Sequence, residues 1–252
     1  MGSLLLLSLL TFLTLLSLLY LIYKPPPFLI TYLQSRHPSV LFHVPTAGTR
    51  RILALTIDDA PSASTGAILD LLAAYHACAT FFVIGSQIAG NEALVARMLA
   101  EGHEVGNHAW TDEPSWRLGL EELERQIREV EVLVGEAGAM ARKQKGAGAG
   151  PVAQARSFRP GSGFFTRAMV GRVEALGYRV VLGSVYPHDP QIHSARINAR
   201  HVLSMVRPGR VVIMHDRRSY SVEQLELVLK GLREGQWEVE SVGGLLRAVG
   251  EG

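Results

Sequence analysis

The sequence is poor in cysteine and in charge. Its single cysteine, Cys78, cannot form an internal disulfide, and no cysteine pair is present to build a thiolate zinc site. Only 19% of the 252 residues are charged, and the net charge is +2 with acidic and basic residues interspersed. Because nucleic-acid binding needs a clustered basic face, we expect no nucleic-acid partner. The remaining composition is ordinary for a globular protein, and the length favours one large domain.

Charge is absent from residues 1–23, which are mostly leucine. At 1.5 Å per residue, this segment is long enough to cross the hydrocarbon core of a membrane. It lacks a basic start and a small-residue cleavage site, so we expect an uncleaved transmembrane helix, with a signal peptide as the alternative. The basic residues Lys24, Arg36, Arg50 and Arg51 all follow it, which by the positive-inside rule predicts a cytosolic catalytic domain.

Pro25, Pro26 and Pro27 are expected to end this helix, because consecutive prolines remove backbone donors and impose an extended course. Residues 24–50 are therefore predicted to form a stalk. Residues 51–252 are predicted to form the catalytic domain.

Short β-prone runs alternate with helical patterns after the stalk, which is typical of a parallel α/β sheet or barrel. The predicted strands are Ile52–Ile57, Thr80–Ile84, His103–Asn107, Arg179–Gly183, Arg210–Met214 and Trp237–Ser241. The clearest helices are Leu94–Ala100, Leu120–Val134, Arg167–Leu176 and Val222–Arg233. Residues 138–156 are rich in Gly and Ala and show no periodicity, so they are predicted to form a mobile surface loop.

Polar side chains cluster where these strands end, and in parallel α/β sheets the chemistry sits at the carboxyl ends of the strands. In chain order, the clusters are Asp58 with Asp59, Asn107 with His108, Arg159, and His215 with Asp216.

The residue types in these clusters suit a metal-dependent hydrolase. Neighbouring residues of a strand point to opposite faces, so Asp58 and Asp59 can take different tasks, one with a proton and one with a metal ion. His108 is four residues from Asp112, which lets both reach one ion. Arg159 can orient a carboxylate, and His215 can protonate a leaving group. Taken singly, the aspartate pair also fits a solvated turn, and His215 also fits a satisfied core histidine.

Five segments together resemble the motifs of the polysaccharide deacetylase family, the NodB-homology family that includes the chitin deacetylases. The resemblance covers about residues 51–243. The segments are Thr56–Pro61 (TIDDAP), Thr80–Val83 (TFFV), Gly102–His108 (GHEVGNH), Phe158–Pro160 (FRP) and Ile213–Asp216 (IMHD).

The resemblance implies a distorted (β/α) barrel that hydrolyses the acetamide of N-acetylated sugars, such as chitin oligosaccharides, and releases acetate. Asp58 would be the general base, held by Arg159, and His215 the general acid. Asp59 and His108 would bind a divalent metal ion, with Zn²⁺ expected and Co²⁺ or Mn²⁺ as alternatives. It also implies a lumenal or extracellular domain, or a secreted protein if the first segment is cleaved, against the prediction from the flanking charges.

The sequence departs from the family pattern at three positions. Ala60 replaces a glycine. Asp112 stands in place of the second metal histidine; it either completes the metal site or faces solvent and caps the following turn. The fourth motif, Tyr186–Pro190, lacks the first acid and the tryptophan of the family, so Asp189 is expected to substitute in part. The residues expected to contact the sugar are Trp110, Tyr186 and Pro160, with Trp116 as a further candidate.

Two other functions remain open from the sequence. One is a deacetylase of a small non-polymeric amide, and the other is a carbohydrate-binding protein that has lost catalysis. The joint presence of an acid, a base and a metal pair argues against the second, because a pure binder needs none of them.

Overall fold

The computed structural model describes residues 2–46, 50–145 and 156–250. Contacts divide the chain into two units, Met1–His37 and Pro38–Gly252.

The N-terminal unit consists of two helices in its described part, α1 (Gly2–Tyr23) and α2 (Pro27–Arg36). The stretch Ser3–Tyr23 is long and apolar enough to cross a membrane, and its mean hydropathy is 2.5. None of this stretch is buried. A membrane anchor and a signal sequence both have this character. Pro27 occupies the first turn of α2, where its missing N–H costs no intrahelical hydrogen bond. As predicted, α1 ends at the prolines and Pro26 is extended, but the predicted stalk then continues as a helix over Pro27–Arg36.

The second unit is built on parallel strands that form one sheet. In its described residues they are β1 (Val40–Leu41), β2 (Ile52–Ala60), β3 (Thr80–Val83), β4 (Glu104–Asn107), β5 (Ser157–Phe158), β6 (Arg179–Val181), β7 (Val211–His215) and β8 (Glu238–Glu240). The order across the sheet is β1, β6, β5, β4, β3, β2, β7, and β8 also pairs with β2. Every strand pairing is parallel, which confirms the sheet type predicted from the sequence.

The sheet curls until its two ends approach each other. Isolated bridges join Val185, which follows β6, to Val212 in β7, and His43, which follows β1, to Arg210 just before β7. The first bridge is parallel and the second antiparallel, so the two ends of the sheet meet without the regular strand pairing of a closed barrel. The predicted distorted (β/α) barrel is confirmed.

Helices cover the outside of the sheet. They are α3 (Thr65–Ala74), α4 (Gly85–Ile88), α5 (Glu92–Ala100), α6 (Leu120–Lys145), α7 (Arg167–Ala175), α8 (Ala195–Met205), α9 (Ser221–Glu234) and α10 (Val242–Val249). Both faces of β2 are buried, since Leu53 and Leu55 belong to one apolar cluster while Ile52 and Ala54 belong to another. This split follows the two-residue period of a strand. Burying a side chain such as Leu55 stabilises the fold by about 1.5–3 kcal/mol.

Two parts of the chain differ from the sequence predictions. The sheet includes β1, which lies in the predicted stalk, so the compact unit begins at Pro38 and not at Arg51. A two-residue strand is too short to show a periodic pattern. The loop predicted for residues 138–156 is wrong in its first part, because α6 continues to Lys145 through strong helix formers. Residues 146–155 lie outside the described part of the chain.

The polar clusters collect at the carboxyl edge of the sheet. Strand β2 is longer than predicted and includes Asp58 and Asp59 before it ends at Ala60. In the neighbouring strand, His215 pairs in register with Asp58. Because all strands run in the same direction, their last residues meet at one edge, where a catalytic site can be assembled.

Candidate active site

A possible metal site is formed by Asp59, His108 and Asp112. One ligand atom from each residue lies within 4.8 Å of the others; Asp59 and His108 are buried and Asp112 is exposed. The Nε2 atom of His108 is 3.9 Å from Oδ1 of Asp59. Two carboxylates and an imidazole form a donor set that divalent ions accept. The structure therefore brings the three predicted metal ligands together.

His108 is oriented by the backbone around it. Its Nδ1 lies 2.6 Å from the carbonyl oxygen of Arg159. A carbonyl only accepts, so Nδ1 carries the hydrogen, and the lone pair of Nε2 is left for a bound ion. Ala109, with φ of 63°, makes the turn after His108, and its N–H donates to the Asn107 side chain at 2.9 Å.

The electrostatics of Asp59 also favour a bound cation. Burial raises the pKa of Asp59; the charge of His215 opposes this, and the neighbouring Asp112 carboxylate raises the pKa further. A divalent ion offsets both causes of the raised pKa, because it compensates the lost hydration and the repulsion between the two carboxylates. Asp112 is exposed, and one of its carboxylate oxygens lies near enough to Asp59 and His108 to share an ion with them.

Asp58 is held by a buried arginine. Nη1 of Arg159 is 2.5 Å from Oδ1 of Asp58 and 2.7 Å from Oγ1 of Thr56. The same guanidinium donates to the carbonyl oxygens of Val181, at 3.0 Å, and Leu182. Burial lowers the pKa of Arg159, and the Asp58 carboxylate opposes this shift. Because its donors are occupied on several sides, Arg159 fixes the orientation of the Asp58 carboxylate.

His215 is paired with Asp189. Nδ1 of His215 is 2.7 Å from Oδ1 of Asp189, and the backbone N–H of His215 donates to Oδ2 at 3.0 Å. Asp189 is buried and receives a further hydrogen bond from Gln224, while Tyr220 donates to its carbonyl oxygen. Burial lowers the pKa of His215, but the hydrogen bond and charge of Asp189, together with the charges of Asp58 and Asp59, raise it overall.

One cleft, with a volume of about 630 Å³, lies within the size range of ligand pockets. The side chains that line it include Asp58, Asp59, His108, Asp112, Arg159 and His215. Tyr186 and Pro160, which the sequence suggests as sugar-contacting residues, also line this cleft. The Tyr186 ring is 5.9 Å from the His215 ring, and burial raises the pKa of Tyr186 to about 12.

Trp110 is not among the described residues that line the cleft. It packs against the apolar core, so closely that a Cβ at Gly85 would lie 2.5 Å from its ring. Trp110 is therefore better described as a packing residue, since its position in the chain beside His108 did not reveal the direction of its side chain. Trp116 is 44% exposed in a short 3-10 turn, with Arg117 over its ring.

Sequence reasoning missed Arg218, which lines the cleft. Its Nη2 is 3.4 Å from Oδ2 of Asp59. It also missed Tyr220 and Gln224, which support Asp189 from α9 and the residue before it. Arg218 lies only three positions after His215, but nothing in the local pattern indicates that it reaches β2.

A possible metal site, a carboxylate held by arginine and a histidine–aspartate pair on a (β/α) barrel form an arrangement suited to metal-dependent hydrolysis. A family model for polysaccharide deacetylases matches residues 46–181. The protein belongs to this family. The match ends before Asp189 and His215, so the placement of these two residues is seen in the structure alone.

Relatives and a solved structure agree with this assignment. A peptidoglycan-N-acetylglucosamine deacetylase from Bacillus cereus is 31% identical over 214 residues, covering 82% of this chain and 93% of the relative. A chitooligosaccharide deacetylase from Sinorhizobium fredii is 34% identical over 178 residues, covering 69% and 76%. The structure of the peptidoglycan deacetylase PdaC from Bacillus subtilis matches with a TM-score of 0.69 at 27% identity, covering 79% of this chain and 91% of that one. The chain spans about 40% of the length of other curated relatives that it matches at 31% identity.

Proposed function

We propose that the protein hydrolyses the acetamide of N-acetylated sugars of the chitin or chitooligosaccharide type and releases acetate. The observation that carries this proposal is the convergence, in one cleft, of a metal-ligand trio, a carboxylate base and a histidine acid. Relatives named as chitooligosaccharide and peptidoglycan deacetylases support the same class of substrate.

Asp59, His108 and Asp112 would hold the metal ion. Zn²⁺ is the proposed ion; the two carboxylates also suit Co²⁺ or Mn²⁺, because harder ions favour oxygen ligands. When bound, the ion supplies Lewis acidity that polarises the acetyl carbonyl and lowers the pKa of water.

Asp58 is the proposed general base. Arg159 occupies its Oδ1, which leaves Oδ2 to accept a proton from the attacking water. Nη1 of Arg159 also donates to Oγ1 of Thr56, so the guanidinium cannot turn away from Asp58 without losing a second hydrogen bond.

His215 is the proposed general acid, which protonates the departing nitrogen as the C–N bond breaks. Asp189 accepts from Nδ1 and stabilises the imidazolium, so the other ring nitrogen carries the proton that is delivered. The products are acetate and a free amino sugar. This intact pair argues against a catalytically impaired carbohydrate-binding protein, although the fourth motif departs from the family.

The proposal is tested with the full-length chain in detergent, stripped of metal by a chelator. Acetate release from chitooligosaccharides and from small acetamides is measured before and after adding Zn²⁺, Co²⁺ or Mn²⁺. We expect metal-dependent release from the sugars, and none from the Asp58→Asn variant. A folded protein that releases no acetate with any of the three ions would contradict the proposal, and release from small amides alone would favour the non-polymeric alternative.

We also propose that α1 anchors the catalytic unit on the extracytoplasmic side of a membrane. Relatives named for peptidoglycan, a polymer of the cell exterior, support this side, whereas Lys24, Arg36, Arg50 and Arg51 favour the opposite one. Protease digestion of intact cells and of inverted membrane vesicles distinguishes the two orientations of the catalytic unit. Protection of the catalytic unit in intact cells would contradict the proposed side.

A further inference from the structure

Arg218 has no role in the mechanism above, although it lies in the cleft beside the metal ligands. Its contact with Asp59 is long, 3.4 Å from Nη2 to Oδ2, and its side chain is 32% exposed. Its Nε is buried and has no acceptor among the residues that the structure describes. A guanidinium offers five N–H donors in a planar fork, so Arg218 retains donors that the protein does not use.

The segment that carries Arg218 is held in place before any ligand binds. Asp216 is fully buried, and its Oδ1 accepts from Oγ of Ser62 and from the backbone N–H of Arg217, both at 2.7 Å. The backbone N–H of Arg218 donates to Oγ of Ser221 at 3.1 Å. The guanidinium is therefore presented to the cleft from a fixed backbone, which lowers the entropic cost of binding through it.

The balance of charge in the cleft changes when a divalent ion is bound. Asp58 is paired with Arg159 and Asp189 with His215, so neither can neutralise Arg218. The charges of Asp59 and Asp112 together equal that of a divalent ion. Among the described residues that line the cleft, Arg218 is then the cation without an anionic partner, and a half-buried charge of this kind favours an anionic ligand group.

We propose that Arg218 binds a carboxylate carried by the substrate and thereby selects an acidic N-acetyl sugar. This inference rests on the proposed function. The acetamide must lie at Asp59, His108 and Asp112, and Arg218 contacts Asp59, so the carboxylate must lie close to the acetamide. An acidic substituent on the ring carbon next to the acetamide, as in N-acetylmuramic acid, meets this requirement. One guanidinium matches one carboxylate in charge and in bidentate geometry.

The test compares diacetylchitobiose with N-acetylglucosaminyl-N-acetylmuramic acid, two disaccharides that differ in one lactyl ether group, which carries the carboxylate. We measure kcat/KM for acetate release by the parent, Arg218→Gln and Arg218→Lys, with Arg200→Gln as a control that removes an equal charge from the exposed side of α8. The parent should prefer the acidic sugar. Arg218→Gln should lose this preference by about 10- to 100-fold, the usual effect of a charge-assisted hydrogen bond. Arg218→Lys should keep part of the preference for the acidic sugar, and Arg200→Gln should keep the whole preference.

A binding measurement separates this inference from the proposed activity. Calorimetry gives Kd values of the metal-loaded protein for muramic acid and glucosamine, which carry no acetyl group, and Arg218→Gln should weaken only the first. Loss of this Arg218-dependent difference would overturn the inference, even if acetate is released normally. Tight, Arg218-dependent binding of muramic acid without turnover of either disaccharide would uphold it while the proposed function fails. Product acetate is the other source of a carboxylate; if Arg218→Gln weakens inhibition by acetate but leaves the preference between disaccharides unchanged, substrate selection is refuted.

Discussion

Asp189→Asn tests whether the histidine–aspartate pair sets the pH range of activity. The variant keeps an oxygen that can accept from Nδ1 of His215 but removes the charge 2.7 Å away. In the parent, Asp189 raises the pKa of His215 above its ordinary 6.5. An opposite charge at this range shifts a pKa by about 1–3 units, and the 13% exposure of the His215 side chain leaves little screening by solvent. We expect the pKa of His215 to fall in the variant, because the Asp189 charge no longer opposes the effect of burial.

The sign of the effect on rate follows from the role of an acid. His215 must be protonated to act, so its pKa sets the upper pH limit of kcat/KM. Lowering that pKa moves the falling limb of the profile to lower pH, and above this limb the rate should drop by about 10- to 100-fold. The pair also stabilises the folded state. Because the folded pKa is raised, this contribution is complete below pH 6.5 and is lost as the pH rises through the folded value.

The assay is kcat/KM for acetate release between pH 5 and pH 10, with Asp70→Asn as a control that removes an exposed carboxylate paired with Arg97. Thermal melts exclude unfolding as the cause of any loss. A falling limb that stays within about 0.3 pH units of the parent would refute the electrostatic role of Asp189, even if the rate is lower at every pH.

Four further results are expected. Asp58→Asn should abolish turnover but leave metal content, measured by atomic absorption, near that of the parent; loss of the metal would contradict the separate tasks of the two aspartates. His215→Ala should lower kcat by about 10²- to 10⁴-fold, and activity within about threefold of the parent would assign the acid to another group. Asp112→Ala should weaken metal binding in a titration of the stripped protein, whereas unchanged affinity would mean that Asp112 faces solvent and is no ligand. Deleting residues 2–24 should give a water-soluble domain with unchanged catalytic constants, because that segment belongs to a separate unit; a folded but inactive domain would contradict this.

The sequence by itself determined the class of fold and most of the residues of the site. The patterns that predict strands and helices depend only on residues close together in the chain, because they show which face of a short segment is buried. They located most strands to within one or two residues. The motif around Asp58 and Asp59 is also local, as is the spacing of His108 and Asp112. Resemblance to the family supplied their expected roles, and the structure brings the metal ligands to within 4.8 Å of one another.

Only the tertiary structure decided which distant side chains meet. Asp189 reaches His215 because the segment after β6 approaches β7, and Arg218 reaches Asp59 because β7 lies beside β2. The direction of Trp110 into the core was likewise not visible from its neighbours in the chain. Local patterns record burial within one element, whereas these contacts depend on the order of the strands and the curl of the sheet. Residues 159 positions apart in the chain therefore become neighbours only when the barrel has formed.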